Sequence, residues 1–398
     1  MWFYGPERAI IVVAGFAVVF MIGCGREGGP AEAPPQVTTS PLSQPSPTPA
    51  KVLTFRVEMY RGNARRTGAY DPDSQKMPIG RLKWRRKTWI STDPIVAGGN
   101  VYHGNSNGAL VALDAASGKT VWKIDRCGGF GSTPAWRDGV IYHGHCNRTF
   151  YAIDASSNER WHFDASEQIH SSPAIADGSA YFGNIAGQFY AVDLVTGKAR
   201  WEIRVGRRVC GSPAVGDGKV FVAGDTRGMY VLHALEAKTG GVLWTFSREY
   251  APMGTSVLAD GVVYTGAGRE LIALDAQTGE VSWRHRFQIE MDRCVGTPAV
   301  VKGVAYLGTS DGKLFAVDVR TREELWVFET GGYIGAYPAV ANGVVYFGSA
   351  DERLYAVDAE TGRERWRFRV AAGVSHGPVV HDGVVYFGTG NGMLYAIQ

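Results

Sequence analysis

Apolar positions in this chain come in short runs that recur in a fixed order. One unit shows it: an apolar stretch ending in an aromatic residue with a glycine a little later, then LYAVD at Leu354–Asp358, the polar turn AETG, and RERWRF, where charged residues alternate with Trp366 and Phe368. Ahead of most units stands a small residue followed by proline. Runs of this length between turn residues read as strands, four to a unit. The unit repeats eight times, with tryptophans at 84, 122, 161, 201, 244, 283, 326 and 366, spaced 38 to 43 residues apart. Pro134, Pro173, Pro213, Pro338 and Pro378 each follow a tryptophan by twelve residues; Pro94 and Pro298 keep the step at other spacings, and Ser256 replaces it once.

The turn before each Trp strand has its own chemistry. A-x-D-x-x-T-G-x-x-x-W is nearly complete at Ala191–Trp201, Ala273–Trp283 and Ala356–Trp366. The Asp side chain caps the turn by accepting backbone N–H groups, and Gly supplies the positive-φ position. The second unit is one residue short, and its Asn158 is expected to take the left-handed conformation. Glu236 replaces the Asp in the fourth, and Arg322 stands where Gly is expected in the sixth, which predicts a relaxed turn there. Pro213 to Trp244 is 31 residues where other units need 27 or 28, which predicts a bulge around Leu232–His233. The loop from Trp283 to Pro298, 15 residues instead of twelve, is longer and more charged than its equivalents.

A period of about 40–45 residues with four strands per unit is the signature of a β-propeller. The expected fold class is therefore all-β, an eight-bladed β-propeller of four-stranded antiparallel blades over residues 81–398. A lone blade cannot bury both of its faces, so neighbouring blades must stack. The last unit reaches Leu394–Ile397 without a Trp strand of its own, and Arg81–Lys87 (RLKWRRK) is a Trp strand without a unit. Pairing the two closes the ring and removes two exposed sheet edges.

Composition agrees with this reading. Glycine, 52 residues of 398, is nearly twice as frequent as the usual ~7%, and 18 Tyr, 17 Phe and 11 Trp suit pleated faces. The 45% apolar content excludes disorder of the whole chain. A net charge of +3, from 41 basic and 38 acidic residues, excludes a bulk electrostatic grip on nucleic acid.

The first 80 residues are organised differently. Ala9–Ile22 is an unbroken stretch of 14 apolar residues and glycine, the length of a signal-peptide core and short of the ~20 that span a bilayer. Met21-Ile22-Gly23-Cys24 resembles a bacterial lipobox, which implies cleavage before Cys24 and acylation of its thiol. Gly25 follows, and the absence of Asp there implies an outer-membrane destination in a two-membrane bacterium. Residues 1–24 are thus read as a lipoprotein signal and residues 25–52, with seven prolines, as a semi-extended tether. Residues 53–80 form a lead-in to the propeller.

The Asp-turn-Gly-Trp unit resembles the tryptophan-docking repeat of the pyrroloquinoline-quinone (PQQ)-like propeller superfamily. The segment MYRGNARRTGAY at Met59–Tyr70 is similar to the lead-in before many such repeats. Within that superfamily the lipobox, the tether and the single ring resemble the BamB-type outer-membrane assembly lipoproteins. The resemblance implies a monomeric, noncatalytic scaffold without a cofactor, anchored by lipid, facing the periplasm and binding envelope or outer-membrane proteins. A second reading stays open: a propeller that binds PQQ or another small ligand, or a PQQ-dependent dehydrogenase. Such enzymes hold a calcium ion, which takes about 6–8 oxygen ligands, and often use two adjacent cysteines. Here no two cysteines are adjacent, no C-x-x-C-H sequence occurs, and most blade aspartates belong to turns. The carboxylates near channel-facing strand starts are Asp93, Glu167, Glu290 and Asp292.

Other candidate residues follow from the strand register. His143 and His145 share one strand face and invite comparison with a metal site together with His103, but a fourth ligand is missing, and histidines stacked between sheets explain them. His170 and His376 precede their proline steps and are placed at the channel mouth. Arg207 and Arg208 on a blade connector, and Glu290, Asp292 and Arg293 on the long loop, are candidates for partner binding, because loops on a rigid scaffold carry recognition. The connector bearing Cys127 and the turn bearing Cys146 lie at one end of the blade, so a disulfide between them is expected in an oxidising compartment. Cys210 and Cys294, on connectors two blades apart, are expected to be free.

Overall fold

Each unit folds because its four strands meet different surroundings. In blade seven the inner strand Ala339–Ala341 and the next, Val344–Ser349, are buried throughout, and Arg353–Asp358 is buried over its central four residues. These strands are covered on both faces by neighbouring blades and so carry apolar residues in succession rather than in alternation. The outer strand Glu364–Arg369 alternates exposed and half-buried positions. The computed structural model describes residues 57–58, 62–63, 68–70, 74, 76–125, 129, 131–209, 211–249, 255–289 and 296–398. Among them are eight antiparallel sheets and no helix, hence none long and apolar enough to cross a membrane. Blades one to seven begin at Ile95, Ala135, Ala174, Ala214, Val257, Ala299 and Ala339. Blade eight combines Val374–His381, Val384–Thr389 and Met393–Ile397 with Leu82–Lys87.

The closing strand pairs as expected. Trp84 stands opposite Ala396 and Lys87 opposite Met393, and Arg81 and Gln398 exchange two backbone hydrogen bonds of 2.8 Å. The core is a series of interblade layers. One joins Tyr346 and Leu354 of blade seven to Val385 and Phe387 of blade eight. Another stacks Phe150 of blade two on Phe182 of blade three at 4.0 Å between ring centroids.

Blades are fastened at their rims by the tryptophans. Asp358 accepts the N–H groups of Glu360 and Thr361 at 3.2 and 2.9 Å, and Gly362 turns the chain with φ +69°. Trp326 of the preceding blade lies flat on that glycine: a Cβ there would stand 2.6 Å from its Cδ2. Its Nε1 donates to the Ala359 carbonyl at 3.1 Å. Trp84, Trp161, Trp201 and Trp244 dock in the same way on Gly118, Gly197, Gly240 and Gly279.

Three local expectations need correction. In blade two the left-handed residue is Ser157, φ 73°, while Asn158 donates its N–H to Asp154 Oδ1 at 2.9 Å. The shortened turn moves the positive-φ position back by one. The Arg322 turn is not relaxed: Arg322 itself adopts φ 71° and keeps its 2.8 Å bond to the Asp318 carbonyl, because Asp318 still caps Arg320 and Thr321. Blade four has no bulge at Leu232–His233. Lys219–Thr226 and Met229–Glu236 pair without interruption, and the extra residues lengthen three strands to eight residues each. Its one register shift, at Ala234/Leu235, is the shift found before the turn in the other blades.

The lead-in belongs to the ring. Val57 and Glu58 pair with Arg137 and Trp136 of blade two. Tyr70 N–H donates to the Val340 carbonyl, and Val340 N–H to that of Gly68, both at 2.9 Å. Asn342 Nδ2 reaches the Ser74 carbonyl at 2.9 Å, and Lys76 pairs with Asp382 at 2.7 Å. Finally Trp366 donates to the Pro78 carbonyl at 2.9 Å and packs on Gly80, φ +80°. Pro78–Gly80 therefore serves as the docking turn that blade eight lacks. The contacts at Arg137, Val340, Asn342 and Asp382 lie along the inner strands or at the turns that lead to the second strands (the turn face), and Trp366 meets Pro78–Gly80 at the rim. The connectors enter the inner strands on the opposite face.

Candidate functional site: the cup on the connector face

Each connector ends in the same six positions, seen between blades two and three as Gln168, Ile169, His170, Ser171, Ser172 and Pro173. The second position is a buried pin. Ile169 sits so close to Gly144 that a Cβ there would stand 2.2 Å from it, and Val209, Ile334 and Val374 do the same to Gly183, Gly308 and Gly348. The fourth position ties the connector to its own blade: Ser171 Oγ accepts Gly183 N–H at 2.7 Å and donates to its carbonyl at 3.2 Å. The fifth ties it to its neighbour. Gly377 N–H donates to Asp93 Oδ1 (2.5 Å), Asp93 N–H to Thr133 Oγ1 (3.2 Å), Thr133 N–H to Ser172 Oγ (3.0 Å), Ser172 N–H to Ser212 Oγ (2.9 Å), and Ser212 N–H to Thr255 Oγ1 (3.2 Å). Proline at the sixth position removes a donor where the inner strand begins.

These loops enclose a cup of about 330 Å³ at the mouth of the central channel. His170 and His376 line it, as the sequence places them, together with Asp93, Tyr337 and Ser375. Tyr70 of the lead-in reaches a smaller cavity bordered by Asp93, Tyr337 and Gly377, residues that also line the cup. Burial holds the pKa of His376 below its ordinary value, opposed by the Asp93 carboxylate. Burial lowers His170 as well, helped by the Arg208 charge. Behind them His103 is fully buried and pushed down to about 4, chiefly by desolvation, with a smaller contribution from His376.

The other candidates are placed as follows. His143 stacks on Tyr151 at 5.4 Å, and His145 Nε2 lies 3.1 Å from the Gly108 carbonyl of blade one. Among the described residues no group of three or more His, Cys, Asp or Glu is arranged to hold a metal. The Cys146 thiol is free, its pKa raised by burial, with its Sγ 3.7 Å from His170 Nε2, and the cysteine expected to bridge it is among those outside the described residues. Cys127, Cys210 and Cys294 lie outside the described residues, as do Cys24, Glu290, Asp292 and Arg293. Glu167 is on the connector but does not line the cup.

Arg207 and Arg208 are exposed on the connector face. Arg207 N–H donates to the Asp225 carbonyl at 2.7 Å, and Arg208 Nη2 lies 3.5 Å from Asp225 Oδ2, so the lengthened hairpin of blade four braces them. Two aromatic residues were not singled out from the sequence. Trp89 is 52% exposed with φ 56°, under the Lys87 ammonium at 3.9 Å, and Tyr333 is 58% exposed. The signal that finds them is an offset: Trp89, Arg208 and Tyr333 all stand five residues before a proline, as does Arg293.

The repeat is shared with proteins of several kinds. A quinohemoprotein alcohol dehydrogenase of Comamonas testosteroni is 32% identical over 108 residues, 24% of this chain and 15% of that protein. The serine/threonine-protein kinase AfsK of Streptomyces griseus is 29% identical over 108 residues, 25% of this chain and 13% of the kinase. This chain thus matches under a fifth of the length of these relatives. Among solved structures, BamB from Moraxella catarrhalis superposes with a TM-score of 0.65 at 16% identity, covering 80% of this chain and all of that one. The Comamonas testosteroni dehydrogenase superposes at 0.71 and 16% identity, covering 85% of this chain and 80% of that one. At these identities the superpositions establish the fold alone. The family model described as outer membrane protein assembly factor BamB matches residues 68–172, 148–259, 229–336 and 329–398. Its four overlapping matches take in every blade, and the chain belongs to that family of PQQ-like propellers.

Proposed function

We propose that this chain is a noncatalytic, lipid-anchored scaffold that binds other proteins during outer-membrane protein assembly, with the connector face as its recognition surface. The observation that carries the reading is the division of roles on that face. The hydroxyls of the cup fasten blade to blade, while Trp89, Tyr333, Arg207 and Arg208 project from its rim. Trp, Tyr and Arg are the side chains that dominate protein interfaces. The donor set of the described residues does not fit a calcium-held quinone. The cup offers one carboxylate, Asp93, whose Oδ1 already takes the Gly377 N–H, against the about 6–8 oxygens calcium requires.

The test is in-cell photo-crosslinking from positions 89, 208 and 333, with the exposed outer-strand position Glu202 as control. Crosslinks to an envelope protein from the three rim positions and none from the control support the reading. A triple variant, Trp89→Ala, Arg208→Glu and Tyr333→Ala, that still co-purifies with the same envelope proteins would overturn it. Saturable binding of PQQ, followed by absorbance, would favour the quinoprotein reading instead.

A further inference from the structure

The docking turn of blade eight departs from the others in its side chains. Six of the other turns place Asp or Glu four residues before the left-handed position and Ser or Thr one residue before it, as Asp358 and Thr361 stand to Gly362. At Gly80 those two positions hold Lys76 and Ile79. A capping acid has become a cation, and the hydroxyl beside it an apolar side chain. Trp366 docks there as the other tryptophans dock on acid-capped turns, so docking does not call for the exchange. The surroundings are apolar and basic too. Met77, Ile79 and Leu82 are 43%, 62% and 43% exposed. Arg81 and Arg85 are exposed, and among the described residues no carboxylate pairs with either. Of the acids nearby, Asp382 is held by Lys76 at 2.7 Å and Asp114 by the Ser117 N–H at 2.7 Å, and the Lys83 charge acts on both. Lys76, Arg81, Lys83 and Arg85 therefore outnumber the two carboxylates, and the corner is net positive.

We propose that this corner, where the turn face meets the outer wall of blade eight, rests on a membrane surface of anionic phospholipid. Exposed apolar side chains flanked by Lys and Arg enter the headgroup boundary, while the cations meet the lipid phosphates. The core of a protein interface is instead depleted in charge, lysine included. A contact of this kind is weak alone, and a tether raises its effective concentration. The proposal rests on the lipid-anchored reading above only for bringing the ring to a membrane.

The probe is a vesicle of equal parts phosphatidylglycerol and phosphatidylcholine with nitroxide-bearing headgroups, added to the full chain carrying a fluorescent amino acid at position 79. A second chain carries it at position 195, since Val195, on the corresponding turn of blade three, is 87% exposed. Quenching is expected at position 79, with position 195 at least about fivefold lower, the factor that a single basic residue supplies near an anionic surface. The triple variant Arg81→Gln, Lys83→Gln, Arg85→Gln should bring position 79 down to the level of position 195. Salt at about 0.5 M should do the same to the unaltered chain by screening, which keeps the test valid if the variant folds poorly. Equal quenching at the two positions, full quenching on phosphatidylcholine alone, or quenching that survives the added salt would each overturn the proposal. Photo-crosslinking from position 79 in cells decides the other occupant: a protein captured there in place of lipid would overturn it as well. Failure of the anchor shows in palmitate labelling, and failure of rim binding in the crosslinks from positions 89, 208 and 333, neither of which enters this readout.

Discussion

Replacing Gly118 by alanine tests whether the turn glycines exist for the tryptophans that lie on them. Gly118 has φ +68°, and a Cβ there would stand 2.6 Å from Trp84 Cδ2 and 2.7 Å from Cε3. A side chain in the left-handed region costs about 1–2 kcal/mol by itself. The contact cannot be absorbed in place. Trp84 is 8% exposed, its Nε1 donates to the Ala115 carbonyl at 3.0 Å, and its ring packs 5.8 Å from that of Tyr386. Backing away breaks the hydrogen bond, about 1 kcal/mol, and strains the layer by roughly another 1 kcal/mol or more. Gly118→Ala should therefore destabilise by ~3–4 kcal/mol. Gly139 has φ +80° with nothing within 4 Å of a Cβ, so Gly139→Ala carries the conformational part alone, about 1–2 kcal/mol. Urea unfolding followed by tryptophan fluorescence compares the two, and the difference of ~2 kcal/mol is the docking contribution of Trp84. Equal midpoints would refute the reasoning and leave the glycine with only its backbone role. Because Trp84 lies on the closing strand, the same measurement reports on ring closure.

Arg322→Gly should raise the unfolding midpoint, by ~0.5–1 kcal/mol in stability, since it relieves a left-handed arginine and restores the glycine of the other turns; a lowered midpoint would show that the arginine side chain contributes more than its backbone costs. His103, fully buried and pushed down to about 4, binds its proton in the unfolded chain near pH 6.5 and in the native chain only near pH 4. Stability should consequently fall as pH drops from about 6.5 to 4 and level off below, by up to ~3 kcal/mol. His103→Phe, the residue at this register in Phe182, Phe347 and Phe387, should flatten that part of the denaturation profile; an unchanged slope would assign it to other groups. Cys24→Ser should abolish palmitate labelling and release the protein from the membrane fraction, and retained label would exclude the lipobox.

Much of the ring was legible in the sequence because its demands are local. Asp358 and Gly362 are written into the chain because few residue types cap a turn or tolerate positive φ, and the same need recurs in each blade. Trp84 and Lys87 announced the closing strand because a strand without a sheet and a sheet without a strand stood at opposite ends of one repeat. His170 and His376 reached the channel mouth because their offset from proline is fixed. Where the local demand can be met by neighbours, reading failed: Ser157 turned instead of Asn158, and blade four lengthened its strands instead of bulging. What only the tertiary structure decided are contacts between segments far apart in the chain. Trp366 finds its docking turn in Pro78–Gly80, 288 residues away, although Gly80 precedes Trp84 at the spacing the other turns show. The hydroxyls before the prolines bind one another's backbones across blades at separations of about forty residues. Val340 of blade seven is bonded by Gly68 and Tyr70, whereas among the described residues none bonds the N–H and C=O of Leu258 and Val300, the middle residues of the inner strands of blades five and six, although all three sit alike in their strands. Any small hydroxyl residue serves the first need and any strand edge the second. The residue types therefore do not name the partner, and only the closed ring, which brings the edges and the lead-in to one face, does so.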